Sequence, residues 1–164
     1  MGYRILVLME SKSQLDELVA LCDGRGHEVV AMATISQAME WLNNKDHIDA
    51  IVSDTYLQNE GVFDFLRAVK RDPRHDWVQF VMISSDQTDF AEIMNENMKN
   101  TARVLGADKY LVMPEFSARR LLKEIEAALP EMPPQNAQDP IRDAAGEPRP
   151  ADEMPKSVTD AQER

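Results

Sequence analysis

Apolar residues in this chain fall into two signatures, unbroken runs and stripes spaced by three and four, which take turns from residue 4 to residue 129. An unbroken run rich in β-branched residues predicts a strand buried on both faces, and a three-four stripe predicts a helix with one buried side. Arg4-Ile5-Leu6-Val7-Leu8-Met9 is the first run, closed by Glu10. Leu15, Leu18, Val19 and Cys22 follow at helical spacing, with Ser13 and Asp16 as a candidate capping box and Asp23-Gly24-Arg25-Gly26 as the stop. A short strand over Glu28 to Ala33 leads to a helix carrying Ile35, Ala38, Met39, Trp41 and Leu42, capped by Thr34 or Ser36 and ending at Asn43-Asn44.

The third run, Ile48 to Asp54, ends abruptly on a carboxylate. Beyond a polar loop from Thr55 to Gly61, Val62, Phe63, Leu66 and Val69 predict a helix that stops before Pro73. Val78 to Ile83 is a fourth strand, followed by the hydroxyl pair Ser84-Ser85 and a long helix from about Thr88 to Leu105, stopped by Gly106. Tyr110 to Met113 is a fifth strand, broken by Pro114, and Ser117 caps a last helix with Leu121, Leu122, Ile125, Ala128 and Leu129 on one face. Five strands alternating with five helices predict an α/β fold, a doubly wound five-stranded parallel sheet with right-handed crossovers and helices on both faces.

Composition narrows the picture. Residues 130–164 hold seven of the nine prolines, no aromatic residue, and only Ile141 and Val158 as branched apolar residues. Such a segment buries too little surface to offset its ordering entropy, so residues 1–129 are predicted to form the folded domain and 130–164 a disordered Pro-rich acidic tail. A formal net charge of -11, with no basic stripe, argues against a nucleic-acid partner. No apolar run approaches the roughly 20 residues that span a bilayer, which predicts no membrane segment and a cytoplasmic protein. The lone Cys22 excludes an intrachain disulfide, and His27, His47 and His75 have no partner at the spacing of a transition-metal site.

Candidate chemistry lies at the strand ends. In open α/β sheets sites form beyond the C-terminal ends of strands, which makes Asp54 and Glu10 candidates; the alternative for Asp54 is a residue that starts a turn. Ser84 supplies a strand-end hydroxyl, and Met113-Pro114 closes the fifth strand.

In this order and spacing, these residues resemble the receiver domain of two-component response regulators. The resemblance covers about residues 3–129, through Ile5-Leu6-Val7, Asp49 to Asp54, Gly61, Ile83-Ser84-Ser85 and Gly106 to Pro114. It implies a flavodoxin-like sheet in the order 2-1-3-4-5, and a phosphoprotein of a phosphorelay in place of an enzyme. The resemblance maps the phosphoacceptor onto Asp54 and the phosphoryl-binding switch hydroxyl onto Ser84. It maps the switch aromatic onto Tyr110, and Mg²⁺ onto Glu10, Asp54 and the backbone carbonyl of Tyr56. The implied partners are a sensor histidine kinase or phosphotransfer protein, and a downstream protein bound at the face of the fourth helix, fifth strand and fifth helix.

Two positions depart from the family pattern. Met9 stands where receivers carry the first of two acids, which predicts weakened cation binding. Met113 replaces the lysine that pairs with the phosphoryl group, a charge-assisted bond worth about 1.5–3 kcal/mol. These departures leave a pseudo-receiver, an interaction module that signals without phosphorylation, as the alternative reading. A small flavodoxin-like enzyme or nucleotide binder is a third, and it lacks a glycine-rich phosphate loop, since Glu10-Ser11-Lys12-Ser13 stands in that place. The stretch from Ser85 to Gly106 is also about two helical turns longer than in receivers. Its Met94 and Met98 predict either a core stripe or a remodelled partner surface.

Overall fold

Strands at the centre of a parallel sheet are covered on both sides, so their residues are apolar without alternation, and that is how the inner strands of this chain are built. The computed structural model describes residues 2–44, 47–57, 61–85 and 88–130. Among them the elements run β1 (Arg4–Leu8), α1 (Lys12–Gly24), β2 (Glu28–Ala31), α2 (Ile35–Asn44), β3 (Ala50–Asp54), α3 (Val62–Arg71), β4 (Gln79–Ser84), α4 (Asp89–Leu105), β5 (Lys109–Val112) and α5 (Ala118–Ala128). All neighbouring strands are parallel, in the order β2-β1-β3-β4-β5 expected from the sequence. Of the predicted tail, 130–164, only Pro130 is described, its carbonyl accepting the Tyr3 hydroxyl at 2.7 Å, and the rest lies outside the described residues.

Residue parity along the strands divides the interior into two cores. Ile5, Val7, Ala50, Val52, Val81, Ile83 and Leu111 turn to the side of α1 and α5, where they meet Leu18, Cys22, Leu121 and Ile125. Leu6, Leu8, Ile51, Phe80 and Met82 turn the other way, against Ala38, Leu42, Phe65, Leu66 and Val69 of α2 and α3. Phe65 and Phe80 meet edge to face at 5.6 Å there, a favoured arrangement of aromatic quadrupoles. Cys22 is fully buried, and burial first, then the charges of Asp23 and Glu126, push its thiol up to about 11, so it packs as a small apolar group.

Several local signals shift when seen in place. Ser11, two residues ahead of the expected cap, caps α1 by accepting the Gln14 N–H at 3.4 Å, and Asp16 pairs with Lys12 at 3.0 Å instead of closing a capping box. Thr34 caps α2, its hydroxyl accepting the Gln37 N–H at 3.1 Å. Ile48 and Met113 fall just outside β3 and β5. Met113 still extends the sheet by one bond, its N–H donating to the Ser84 carbonyl at 2.8 Å. Gly106 ends α4 with φ +109°, and a Cβ there would lie 2.9 Å from Cγ of Lys70, so conformation and space both require glycine.

Candidate functional site

The register of the inner strands brings their C-terminal ends level. Leu8 of β1 lies beside Ser53, Asp54 beside Ile83, and Ser84 beside Val112. Glu10, Asp54, Ser84 and Met113, separated by up to 103 positions in the chain, therefore meet at one sheet edge. A cavity of about 260 Å³ opens there, lined by Glu10, Ser11, Gln14, Asp54, Thr55, Tyr56, Ile83 and Ser85.

Asp54 is half-buried at its floor, and one carboxylate oxygen accepts the Glu10 N–H at 2.9 Å. Its pKa rises from 3.8 to about 6 because burial penalises the charge; the Glu10 N–H bond works against that rise and the Glu10 carboxylate adds to it. The site thus holds two carboxylates that benefit from a cation between them. Tyr56 follows two residues after Asp54 with its ring exposed, and it lines the same cavity. Glu10, Asp54 and the Tyr56 carbonyl are hard oxygen donors, the chemistry that Mg²⁺ takes, so this donor set fits the ion. Among the described residues no three His, Cys, Asp or Glu side chains form a metal cluster.

Two hydroxyls at this edge, those of Thr55 and Ser84, belong to buried residues. Ser84 is 1% exposed, and its hydroxyl has no hydrogen-bond partner among the described residues. The Tyr110 phenol is its polar neighbour, since the Ser84 hydroxyl acts on the Tyr110 pKa. Beside it, Thr55 spends its hydroxyl on the Ile83 carbonyl at 2.8 Å. The half-buried Tyr110 donates its hydroxyl to Oδ1 of Asn95 at 3.3 Å. Burial raises the Tyr110 pKa, while the Thr55 and Ser84 hydroxyls close to the phenol oxygen oppose that rise.

Met9 and Met113 are both buried, 8% and 1% exposed, in the core shared with α1 and α5. Each continues the parity of its strand inward and packs there as an apolar side chain. Thr55, Ser85, Ser11 and Gln14 were not singled out from the sequence. Ser11 alone carried a local signal, as a cap two residues after a strand end.

No family model matches the chain, and no curated protein matches it. Solved structures do. Chemotaxis response regulator CheY4 of Vibrio cholerae aligns with 79% of this chain and 100% of its own, at 22% identity and a TM-score of 0.65. A response regulator receiver protein from Pseudomonas putida covers 77% of this chain and 98% of its own, at 20% identity and a TM-score of 0.62. The Mn²⁺-bound form of response regulator Rcp1 covers 77% and 91%, at 16% identity and a TM-score of 0.60. At these identities the likeness is one of fold, and the fold is that of response regulator receivers.

Proposed function

We propose that this chain is a receiver-type switch in a two-component phosphorelay, with Asp54 as its phosphoacceptor. The observation that carries the reading is the Asp54 cavity, where a half-buried, desolvated carboxylate lies beside a second acid, Glu10, at the sheet edge where β4 also ends on the buried Ser84. In the transfer, a carboxylate oxygen of Asp54 attacks phosphorus, an acyl phosphate bond forms, and the bond to the donor's histidine nitrogen breaks with its electrons returning to the ring. With a pKa of about 6, Asp54 is mostly the ionised nucleophile at neutral pH. The Glu10 N–H holds one of its oxygens in place.

Glu10, Asp54 and the Tyr56 carbonyl would hold Mg²⁺, which supplies charge neutralisation to the incoming phosphoryl group. Met9 removes an acid from that set, so cation affinity is reduced. Ser84 donates to a phosphoryl oxygen, and Tyr110 follows that change on the face of α4, β5 and α5, where a downstream protein binds. The upstream donor is a sensor histidine kinase or a phosphotransfer protein; nucleic acid and membrane have no part in the scheme. Met113 contributes no charge, so the acyl phosphate lacks the ion pair of roughly 1.5–3 kcal/mol that a lysine provides.

Incubation with Mg²⁺ and a small phosphodonor, read by intact mass, tests the assignment. The expected result is a gain of one phosphoryl group on the wild type and none on Asp54→Ala. Burial of Met9 and Met113 in one apolar core also suits the pseudo-receiver. A folded wild type that takes no label at saturating Mg²⁺ and donor would leave that reading in place of this one.

A further inference from the structure

A phosphoryl group arriving on Asp54 brings negative charge into a cavity that already holds the Glu10 carboxylate. Among the described residues lining that cavity none is Lys, Arg or His, so beyond a bound cation the phosphoryl oxygens depend on uncharged donors. Two of the lining hydroxyls are already engaged. Thr55 donates its hydroxyl to the Ile83 carbonyl, and Ser11, as the cap of α1, accepts the Gln14 N–H at 3.4 Å and lies 3.2 Å from the Ser13 hydroxyl. The Tyr56 ring is exposed, where water serves it. Gln14 and Ser85 differ from all three: both are half-buried, both line the cavity, and neither side chain makes a hydrogen bond among the described residues.

Their places in the sheet set them on either side of Asp54. Gln14 stands in the first turn of α1, which follows β1, and Ser85 directly follows Ser84 at the end of β4. Strands β1 and β4 are the two neighbours of β3, so one uncommitted donor comes from each flank of the strand that ends on Asp54. We propose that Gln14 and Ser85 are phosphoryl-binding residues, the Gln14 amide and the Ser85 hydroxyl each donating a hydrogen bond to an oxygen of the group on Asp54. This inference rests on the phosphoacceptor reading and names what holds the group once Asp54 has received it. No proton changes hands, since an amide and a hydroxyl donate without titrating near neutral pH. A neutral donor is about half as strong as a charged one, so the hold is shared between the two flanks.

Beryllofluoride, which with Mg²⁺ takes the shape and charge of a phosphoryl group on a carboxylate, is the probe. The full chain is titrated with it at saturating Mg²⁺ and followed by melting temperature. Gln14→Met, which keeps the length of the side chain without its donors, and Ser85→Ala should each raise the beryllofluoride dissociation constant about two- to tenfold, the worth of one neutral hydrogen bond. Mg²⁺ affinity measured without beryllofluoride, and the melting temperature without either ligand, should stay at the wild-type values, which a merely structural role would move. A wild type that binds beryllofluoride, with both variants binding it as tightly, overturns this inference and leaves Asp54 as the phosphoacceptor. Variants that lose Mg²⁺ affinity in parallel overturn it as well, because they place the two side chains with the cation. A wild type that takes neither beryllofluoride nor a phosphoryl label at saturating Mg²⁺ overturns the phosphoacceptor reading, and this inference with it.

Discussion

Asp49 and Asp54 stand at opposite ends of one strand, and their surroundings have opposite character. Asp49, just before β3, has both carboxylate oxygens engaged: Oδ2 accepts the Arg4 N–H at 2.7 Å, and Oδ1 shares a proton with Nε2 of His47 at 2.7 Å. Its neighbours at that pole follow suit. Asp108 accepts from the Phe80 N–H at 2.8 Å and from Lys70 at 2.9 Å, and Glu126 pairs with Arg25 at 2.6 Å and with His27 at 2.9 Å. Asp54, at the other pole, has the Glu10 N–H but also faces the Glu10 carboxylate, and a desolvated acid beside an acid is raised to about 6. Acids at the N-terminal pole are paired with donors; the acid at the C-terminal pole is held at a free-energy cost. That cost has a use if something positive, a cation or the phosphorus of an incoming group, is what Asp54 is there to meet.

Breaking the well-paired end should have the largest effect. Asp49→Ala leaves the Arg4 N–H without its acceptor and removes the His47 pair, and should lower stability by about 2–3 kcal/mol in urea denaturation. A loss below about 0.5 kcal/mol would mean that the two ends of β3 differ less than their bonds imply. At the other end the sign reverses. Asp54→Asn, which removes the desolvated charge while keeping the shape, should raise stability by about 1–2 kcal/mol at pH 7.5.

The pH dependence sharpens that contrast. Because the folded pKa of Asp54 lies above its ordinary 3.8, the folded state holds the proton more tightly. Stability from this group is therefore lost as pH rises from about 4 to 6, and the gain from Asp54→Asn should vanish below about pH 4. Glu126 behaves oppositely: hydrogen bonding from His27 lowers its pKa, so its contribution is present above the ordinary carboxylate range and lost in acid. Melting curves of the wild type, Asp54→Asn and Glu126→Gln between pH 4 and 8 separate the two poles; parallel curves for both variants would refute the distinction.

A smaller effect is expected of Mg²⁺, which should raise the wild-type melting temperature by the equivalent of about 1.4 kcal/mol at ten times its dissociation constant, and leave Asp54→Asn unmoved. An equal shift in both proteins would place the ion elsewhere. The smallest is Ser84→Ala, expected to change stability by less than about 0.5 kcal/mol since its hydroxyl has no well-formed hydrogen bond among the described residues, against about 1 kcal/mol for Thr55→Val, whose hydroxyl is bonded. A larger loss in Ser84→Ala would show that its hydroxyl is already engaged.

Much of this was legible along the chain. Runs such as Ile5 to Leu8 and Ala50 to Ser53 are apolar at every or nearly every position because they are covered on both sides, and a run covered on both sides between helical stripes leaves few topologies open. Asp54, Glu10, Ser84 and Met113 were legible as strand ends, and one parallel sheet necessarily gathers such ends at one edge. Caps were less so. Ser11, Ser13, Thr34 and Ser36 carry the same hydroxyl, and which one bonds depends on where the backbone leaves its strand by a single residue.

By itself the sequence determined the alternation, the two cores and the residues delivered to the sheet's C-terminal edge, since each follows from patterns a few residues long. Only the tertiary structure decided what those residues experience there. The rise of Asp54 to about 6 and the burial of Ser84, Met9 and Met113 depend on groups far apart in the chain. Desolvation and charge act through space, and a side chain's field is the sum over every neighbour that folding brings near it.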